Sequence, residues 1–322
     1  MKKVSIVCPF RNEEGIIKEA IQSYINQTYK NKEIILVDNS DPNNLGTEIA
    51  KKYAKKYKYI KYYYIHNIPG KWAAHYYIEG IKKATGDILY LADANAKIPP
   101  NYLALTVPLI KGKVAGIVGK VTIWPDKSPI SKYRDVIWTL KYNNTNRINR
   151  EINEGRIFPR TLSKKVYNEI GGFKPDAGWA IDTYFNKDLL KKGYKIVYEP
   201  KAIWWHKWRD DPKDLIKYSF KFGKLNYDLA KTDKKQLYKI SYFLLPFIVI
   251  IASIFNIKIL LLLIFHPLPI IFSTFKIFLR AKNNPNRKYV FLKPLISYMQ
   301  NIPYSLGFIQ SLFRDIFKYQ IN

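Results

Sequence analysis

The chain has 322 residues, of which 48% are hydrophobic and 25% charged, so it can bury a core and lacks the composition of a disordered chain. Its 54 basic and 25 acidic residues give a net charge of +29, which favours a polyanionic partner such as nucleic acid, an anionic membrane or a phosphorylated ligand. A single cysteine, Cys8, excludes an intrachain disulfide framework and a cysteine-bound metal cluster.

Short apolar runs alternate with segments of helical periodicity in the first hundred residues. The runs predict strands at Val4–Cys8, Glu33–Asp38, Tyr59–Ile65 and Asp87–Ala92. The periodic segments predict helices at Glu13–Gln27, Asn44–Tyr57 and Lys71–Ala84. This alternation is typical of an α/β fold with a mostly parallel sheet, joined by right-handed crossovers and flanked by helices.

Polar side chains follow three of these strands directly, and ligands bind at the carboxyl ends of strands in such sheets. These residues are Arg11, Asn12, Glu13, Asp38, Asp93 and Asn95. Neither the G-x-G-x-x-G dinucleotide fingerprint nor the G-x-x-x-x-G-K-[ST] P-loop occurs. The pattern therefore predicts a binding site at this edge without either of those two phosphate motifs.

Four motifs occur in order over about 200 residues. They are the opening VSIVCPFRNEEG with QTYKNKEIILVDNS, the stretch ATGDILYLADAN, the segment NEIGGFKPD, and AIDTYFNKDLLKKGYKIVYEPKAIWWH. In this order the sequence resembles an inverting family 2 glycosyltransferase with a GT-A fold, from Val4 to about Trp208. The resemblance implies a Rossmann-like nucleotide-diphospho-sugar transferase domain with a nucleotide-sugar donor.

The resemblance also assigns roles to individual residues. Asp93-Ala94-Asn95 corresponds to the D-x-D site, where Asp93 would face the ribose or a metal and Asn95 would be a metal ligand. His206 corresponds to a further metal ligand, and the implied cofactor is Mg²⁺ or Mn²⁺. Asp182 corresponds to the general base. The residues implied in donor binding, together with Asp93, are Pro9, Arg11, Asn12, Glu13, Asp38 and Lys71.

Three positions depart from the family pattern. Asn39 replaces the second Asp of V-D-D, Asn95 replaces the second Asp of D-x-D, and Ile181 replaces the Glu before Asp182. An amide oxygen can ligate a cation but brings no charge, so either metal affinity is weaker than in relatives or another residue contributes. The Q-x-x-R-W signature of processive polysaccharide synthases is absent, which favours transfer of a single sugar.

The last third of the chain is apolar and cationic. From Gln236 onward there are 10 basic residues and one acidic residue, and Ser241–Leu279 carries only Lys258 and Lys276 as charged side chains. This stretch predicts two short membrane spans in a hairpin with a break near Asn256–Lys258. A single span at Tyr242–Phe265 followed by an interfacial piece is another interpretation, and a buried helical hairpin of a soluble protein is a third. Tyr289–Phe317 is more amphipathic, which predicts either a helix in the membrane interface or a further span.

These patterns divide the chain into a catalytic domain at 1–210, an amphipathic connecting helix at 211–240 and a membrane-associated helical region at 241–322. Basic residues on both sides of the apolar stretch favour cytoplasmic ends. The short apolar run before Arg11 does not form a cleavable signal. We therefore expect a cell-membrane protein whose catalytic domain is cytoplasmic.

The sequence thus predicts a membrane-associated glycosyltransferase that uses a UDP-, GDP- or dTDP-sugar and a lipid-linked or glycan acceptor. A catalytically degenerate relative that binds nucleotide sugar or lipid as a scaffold is the alternative, which the three departures favour. A nucleic-acid-binding role, suggested by the charge alone, is not expected, because helix-turn-helix, zinc-finger and RNP patterns are absent.

Overall fold

The computed structural model describes residues 1–68, 73–124, 128–175, 181–225, 227, 234–254, 258 and 261–319. The chain divides into two compact units. The first consists of Met1–Pro125 and Lys141–Lys207, and the second of Asp126–Leu140 and Trp208–Asn322. The predicted boundaries at 210 and 240 stay a prediction, because the helices described below do not by themselves define a catalytic domain or a membrane region.

Eight strands in the described part of the first unit form one mixed sheet in the order β3-β2-β1-β4-β7-β6-β8-β5. The strands are β1 (Val4–Phe10), β2 (Lys32–Asp38), β3 (Ile60–Tyr64), β4 (Ile88–Leu91), β5 (Ala96–Lys97), β6 (Val114–Ile123), β7 (Thr161–Ser163) and β8 (Lys195–His206). Pairs β1–β2, β1–β4, β2–β3 and β6–β8 are parallel, whereas β4–β7, β6–β7 and β5–β8 are antiparallel. The predicted mostly parallel sheet is confirmed.

Helices connect the strands of the first unit. They are α1 (Ile17–Ile25), α2 (Leu45–Lys56), α3 (Ala73–Lys83), α4 (Tyr102–Thr106), α6 (Thr145–Asn153), α7 (Lys164–Glu169) and α8 (Ile181–Lys191), and α5 (Pro129–Tyr142) begins in the second unit. The prediction that α1 begins at Glu13 was wrong. Residues 14–16 form a turn, and the helix begins only where apolar side chains at Ile17, Ala20, Ile21 and Tyr24 become buried.

The centre of the sheet is its most buried part, because β1, β2 and β4 are covered by helices. Side chains such as Ile6, Ile35 and Leu89 have no exposed surface. Parallel strands covered on both faces read as continuous apolar runs, which is why the sequence located β1, β2 and β4 with small errors at their ends. Their carboxyl ends all point to one edge of the sheet, where the polar residues of the predicted site follow.

The second unit is helical in its described residues. After α9 (Pro212–Leu225) come α10 (Lys234–Ala252), α11 (Leu262–Phe265), α12 (Leu268–Arg280) and α13 (Lys293–Tyr319). Two glycines allow α9 and α13 to pack closely, since a Cβ added to Gly223 would lie 1.9 Å from the Tyr304 carbonyl oxygen and one added to Gly307 would lie 2.0 Å from that of Phe220. Only hydrogen fits at both positions.

The apolar stretch of the second unit is broken into short helices. Helix α10 ends at Ala252 and residues 253–254 form a turn, so the described residues do not form one uninterrupted helix over Tyr242–Phe265. A single span there stays a prediction, because residues 255–257 and 259–260 lie outside the described residues. In the described residues, Leu263–Arg280 has the length and mean hydropathy to cross a membrane, and Ile240–Ala252 is a shorter apolar helix. The predicted break at Asn256–Lys258 lies largely outside the described residues.

Candidate functional site

The segment Asp93–Asn95 forms a turn between β4 and β5, at the carboxyl edge of the sheet. The Ala96 amide donates a hydrogen bond to the Asp93 carbonyl oxygen at 3.1 Å, which closes the turn. The buried hydroxyl of Tyr24 donates to the same carbonyl at 2.7 Å. The main chain of the turn is therefore held by α1 and by its own hydrogen bond, and the side chains of Asp93 and Asn95 are left to face other partners.

Pairing of β5 with the end of β8 brings His206 to this turn. In the antiparallel register Ala96 lies opposite His206. The Lys207 amide donates to the Asn95 carbonyl at 2.8 Å, and the Asn95 amide Nδ2 donates to the Lys207 carbonyl at 3.1 Å. As a result His206 Nε2 lies 3.8 Å from Asp93 Oδ2. The structure thus brings together the three residues implied as metal ligands, although they are up to 113 positions apart in the sequence.

The carboxylate of Asp93 is engaged by a fourth residue, Arg160, which the sequence analysis did not identify. The guanidinium forms a two-pronged ion pair, with Nη1 2.9 Å from Oδ1 and Nη2 bonded to Oδ2. Arg160 Nη1 also donates to the Leu91 carbonyl at 3.2 Å, and the guanidinium lies 4.7 Å from the centre of the Trp204 ring. The Tyr77 hydroxyl lies 2.8 Å from Asp93 Oδ1. Forked arginine–carboxylate pairs fix geometry as well as charge.

Strand pairing explains why Arg160 meets Asp93. Arg160 directly precedes β7, and β7 pairs antiparallel with β4 so that Thr161 lies opposite Tyr90. The Leu91 amide donates to the Arg160 carbonyl at 2.8 Å, which extends the pairing by one step. Because Arg160 pairs with Leu91, the last residue of β4, it lies next to the turn that follows this strand.

The pair is only slightly accessible, with 14% of the Arg160 side chain and 23% of the Asp93 side chain exposed. Burial acts to raise the pKa of Asp93, but the positive charge of Arg160, the nearby His206 and the hydrogen bonds from Arg160 and Tyr77 together hold it below its usual value. Burial acts to lower the pKa of Arg160, and the Asp93 carboxylate overcomes this and raises it. Both groups are therefore charged at neutral pH.

The predicted nucleoside loop after β1 is joined to the loop after β2. The side-chain amide of Asn12 donates to Asp41 Oδ2 at 2.7 Å, and its Oδ1 accepts from the main-chain amide of Asp41 at 3.0 Å. The main-chain amide of Asn12 donates to Ser40 Oγ at 2.9 Å. Arg11 forms an exposed ion pair with Asp41 at 3.0 Å. Hydrogen bonds from Asn12 and Arg11 hold the pKa of Asp41 below its usual value. Asn12 adopts φ +55°, a left-handed conformation that asparagine tolerates.

The other two residues predicted for that loop, Pro9 and Glu13, lie at the end of β1 and just before α1. Pro9 lies within β1 opposite Val37 and is partly exposed. The Glu13 carbonyl accepts a hydrogen bond from the Ile17 amide at 3.2 Å and so precedes the first turn of α1. Both residues lie at the same carboxyl edge as Asp93, because β1 and β4 are adjacent and parallel.

Asp38 is buried at the end of β2, and its carboxylate is occupied by protein donors. Oδ1 accepts from the Ser40 amide at 2.8 Å, and Oδ2 accepts from Thr47 Oγ1 at 2.6 Å and from the Tyr62 hydroxyl at 2.8 Å. The side chain has no exposed surface. These hydrogen bonds hold the loop at residues 39–41 and leave the Asp38 carboxylate without exposed surface, and its contact with a nucleobase stays a prediction.

Two predicted residues cannot be placed as side chains. Asp182 lies in the first turn of α8, but its side chain is outside the described part of the structure. Lys71, expected near the diphosphate, lies wholly outside the described residues, as do residues 176–180 before α8. The roles of Asp182 and Lys71 therefore stay predictions.

The donor set at the turn does not fit a resident divalent cation. Mg²⁺ and Mn²⁺ prefer charged oxygen ligands, and the one carboxylate here already holds the forked guanidinium of Arg160. Asn95 brings an uncharged amide oxygen and His206 an imidazole nitrogen. In the described part of the chain, no group of three or more His, Cys, Asp and Glu side chains could hold a metal ion.

Comparison with known proteins identifies a family for about half of the chain. The family model Glycosyl transferase family 2 matches residues 5–171. The chain is 25% identical over 218 residues to the probable glycosyltransferase YdaM of Bacillus subtilis, covering 64% of this chain and 50% of YdaM. It is also 25% identical over 244 residues to a Methanococcus voltae enzyme, a dolichyl N-acetyl-alpha-D-glucosaminyl phosphate 3-beta-D-2,3-diacetamido-2,3-dideoxy-beta-D-glucuronosyltransferase, covering 69% of this chain and 72% of that protein.

A solved structure supports the fold. The mannosyltransferase PcManGT from Pyrobaculum calidifontis, in complex with GDP-Man and Mn²⁺, superimposes with a TM-score of 0.61 at 18% identity. The superposition covers 97% of this chain and 88% of that protein. At this identity the likeness shows the GT-A fold, which confirms the predicted fold class. The chain spans half the length of YdaM, so the activity and partners of that whole protein do not transfer with the match.

Proposed function

The chain belongs to glycosyl transferase family 2, and we propose that it transfers one sugar from a nucleotide-diphosphate sugar to a lipid-linked or glycan acceptor at a membrane. One observation carries the proposal. The polar residues after β1 and β4 lie at the same carboxyl edge of a sheet whose sequence matches the family over residues 5–171. The match covers the loop after β1, the loop after β2 and the Asp93 turn.

The proposed reaction is a single displacement with inversion at the anomeric carbon. An acceptor hydroxyl forms the new bond from the face opposite the leaving group and gives its proton to Asp182. The bond between the anomeric carbon and the diphosphate oxygen breaks, and its electron pair leaves with the nucleoside diphosphate. The first-turn position of Asp182 in α8 supports this role, and the loop formed by Arg11, Asn12 and Asp41 would hold the nucleoside.

The class of donor is a UDP-, GDP- or dTDP-sugar. The neighbour solved with GDP-Man supports a nucleotide sugar without naming this chain's donor. The Methanococcus relative, whose name specifies a dolichyl-linked sugar phosphate, supports a lipid-linked acceptor. Mn²⁺ in that neighbour is consistent with the expected divalent cation, but the donor set described above does not fit one, so no step of the proposed reaction requires it.

A donor panel tests the proposal. Purified full-length protein is heated with UDP-, GDP- and dTDP-sugars, with Mn²⁺ or with EDTA, and release of nucleoside diphosphate is measured in parallel. A ligand at about 100 times its dissociation constant adds ~2.7 kcal/mol of stability, which a thermal shift detects. We expect one nucleotide class to stabilise the protein and to be turned over. Folded protein that neither binds nor consumes any donor would contradict the proposal.

We also propose that the second unit holds the protein at the cell membrane, with the first unit on the cytoplasmic side. Large apolar side chains of α10 and α12 face outward, among them Ile251, Phe272 and Leu279, which are 62%, 71% and 67% exposed. Exposed patches of this kind mark membrane or protein contacts. Lys276, Arg280 and Lys282 are exposed on and just after α12, which suits an anionic lipid surface.

Vesicle flotation tests the membrane proposal. The protein is expected to float with phosphatidylcholine vesicles that contain phosphatidylglycerol, and less with phosphatidylcholine alone, because each nearby cation adds ~1 kcal/mol. The double variant Phe272→Glu/Leu279→Glu should partition at least about 100-fold less, since each side chain loses ~1.5–3 kcal/mol of burial. Leu45→Glu is the control, because Leu45 is an exposed leucine of the first unit, at 57%. Equal flotation of all three proteins would refute the assignment.

A second candidate function is a catalytically degenerate relative that binds nucleotide sugar or lipid without turnover. Asn95 in place of an acidic ligand, and an Asp93 carboxylate already paired with Arg160, favour it. The donor panel separates the two functions, because a scaffold would be stabilised by a nucleotide sugar and release no nucleoside diphosphate.

A further inference from the structure

The charges around the Asp93 turn balance without a metal ion. A D-x-D pair carries two negative charges, which one divalent cation neutralises. In this chain Asp93 contributes one negative charge, Asn95 contributes none, and Arg160 contributes one positive charge within the same cluster. Asp93 and Arg160 together therefore have a net charge of zero. A D-x-D pair with its divalent cation bound has the same net charge.

Arg160 also has hydrogen-bond donors to spare. A guanidinium carries five N–H groups. Among the described residues three of them are used, two toward Asp93 and one toward the Leu91 carbonyl. Two N–H groups thus remain on a side chain that retains 14% exposure beside the turn. Guanidinium groups bind phosphate oxygens through their N–H groups, and they keep their charge at any physiological pH.

The position of the guanidinium is fixed before any ligand arrives. Asp93 holds it from one side, and the rings of Trp204 and Phe158 lie 4.7 Å and 5.4 Å from its central carbon. A charge held in place beside a site costs no reorganisation when negative charge develops on a leaving group. A mobile surface lysine would lose this advantage.

We propose that Arg160 takes the place of the divalent cation in this chain, so that donor binding and sugar transfer do not depend on metal. Its remaining N–H groups bind the diphosphate of the donor. When the bond from the anomeric carbon to the diphosphate oxygen breaks, the electron pair moves onto that oxygen and the guanidinium offsets its charge. The inference rests on the proposed glycosyl transfer.

Nucleoside diphosphate binding by the full-length protein tests the inference, with UDP, GDP and dTDP as probes in isothermal titration calorimetry. One arm contains EDTA, and the other contains Mn²⁺ or Mg²⁺. We expect the affinity in the two arms to differ by less than about fivefold, the low end of the coupling that a linked second ligand usually shows. Binding that appears only with metal would overturn the inference and leave the proposed function intact. Absence of binding in both arms would overturn both.

Substitutions identify the residue responsible. Arg160→Gln should weaken UDP or GDP binding in EDTA by about 10- to 100-fold, as expected for loss of a charge-assisted hydrogen bond. Arg156→Gln is the matched control, because Arg156 is exposed in the same segment and pairs only with Glu154 at 3.2 Å among described carboxylates. Equal affinity of Arg160→Gln and the wild type would overturn the assignment to Arg160.

A double variant that should make nucleotide binding depend on metal tests the inference by something other than loss of binding. Asn95→Asp combined with Arg160→Gln gives the turn two negative charges and no guanidinium. We expect this double variant to bind UDP or GDP with Mn²⁺ and to lose that binding in EDTA. If it binds equally well in EDTA, charge balance at the turn does not govern nucleotide binding, and the inference fails.

Discussion

Asp93→Asn is expected to lower the free energy of unfolding by about 3 kcal/mol at pH 7, the low end of the range for a buried charge left without its partner. The reason is Arg160, whose guanidinium would remain in the interior with an uncharged amide in place of the carboxylate. The low end applies because both side chains keep some contact with solvent. Denaturant titration followed by circular dichroism measures the change.

Asp41→Asn is the matched control for this prediction. Asp41 also pairs with an arginine, Arg11 at 3.0 Å, but 55% of its side chain is exposed. An exposed pair contributes only ~0–1 kcal/mol, and salt screens it further. We therefore expect Asp93→Asn to be costly at low and high salt alike, whereas the small effect of Asp41→Asn should fade as salt is added.

The double variant Asp93→Asn/Arg160→Gln shows whether the cost belongs to the pair. If Arg160 is the unpaired charge, removing it as well should recover about 1–3 kcal/mol, so that the two substitutions are not additive. Additive losses would mean that Asp93 stabilises the turn through Tyr77 and the main chain instead. A cost no larger than that of Asp41→Asn would mean that the pair contributes little to stability.

The sequence located the first half of the fold well because its strands are buried on both faces. β1, β2 and β4 appear as unbroken apolar runs, and helices with clear periodicity separate them. The second half is harder to read. β5 has two residues and β7 has three, too few for any periodic signal, and β8 carries half-exposed side chains along twelve residues. These strands exist because of pairing partners far away in the chain.

The same difference explains the outcome for the site. His206 was expected near Asp93 from the resemblance, and the structure provides the physical cause, the β5–β8 register that sets Ala96 opposite His206. Arg160 was missed because it lies 67 residues from Asp93 and meets it only through β4–β7 pairing. A signal did exist. Asn95 removes an expected negative charge, and the arginine directly before the mostly buried TLS strand is a candidate to rebalance the site.

The hydrogen bonds of the Asp38 carboxylate were not predicted from the motif. The strand-end acid of the V-D-D pattern was expected at the nucleobase, but its carboxylate accepts three hydrogen bonds from Ser40, Thr47 and Tyr62. The sequence could not show this, because Tyr62 comes from the next strand and Thr47 from the helix between them. Nucleoside binding would then depend on Arg11 and Asn12, which contact the loop at residues 39–41 that Asp38 holds.

Asp182→Asn is expected to reduce turnover by about 10²- to 10⁴-fold, the usual contribution of a general base, while UDP or GDP affinity stays unchanged. An asparagine side chain has almost the same shape but cannot accept the acceptor's proton. Asp182 lies at the start of α8, whereas the residues implied in nucleotide binding follow β1 and β4. Turnover with the donor found in the panel and calorimetric titration with the nucleotide separate the two quantities.

Asp188→Asn provides the control on the same helix, because Asp188 is a partly exposed acid paired with Lys174 at 3.2 Å and has no assigned role in the reaction. It should keep full turnover. A selective loss in Asp182→Asn, at unchanged nucleotide affinity, would also argue against the degenerate scaffold, since a protein without turnover has none to lose. If turnover survives in Asp182→Asn, another group takes the acceptor's proton. The retained aspartate in a helix that has lost its preceding acid at Ile181 would then be structural.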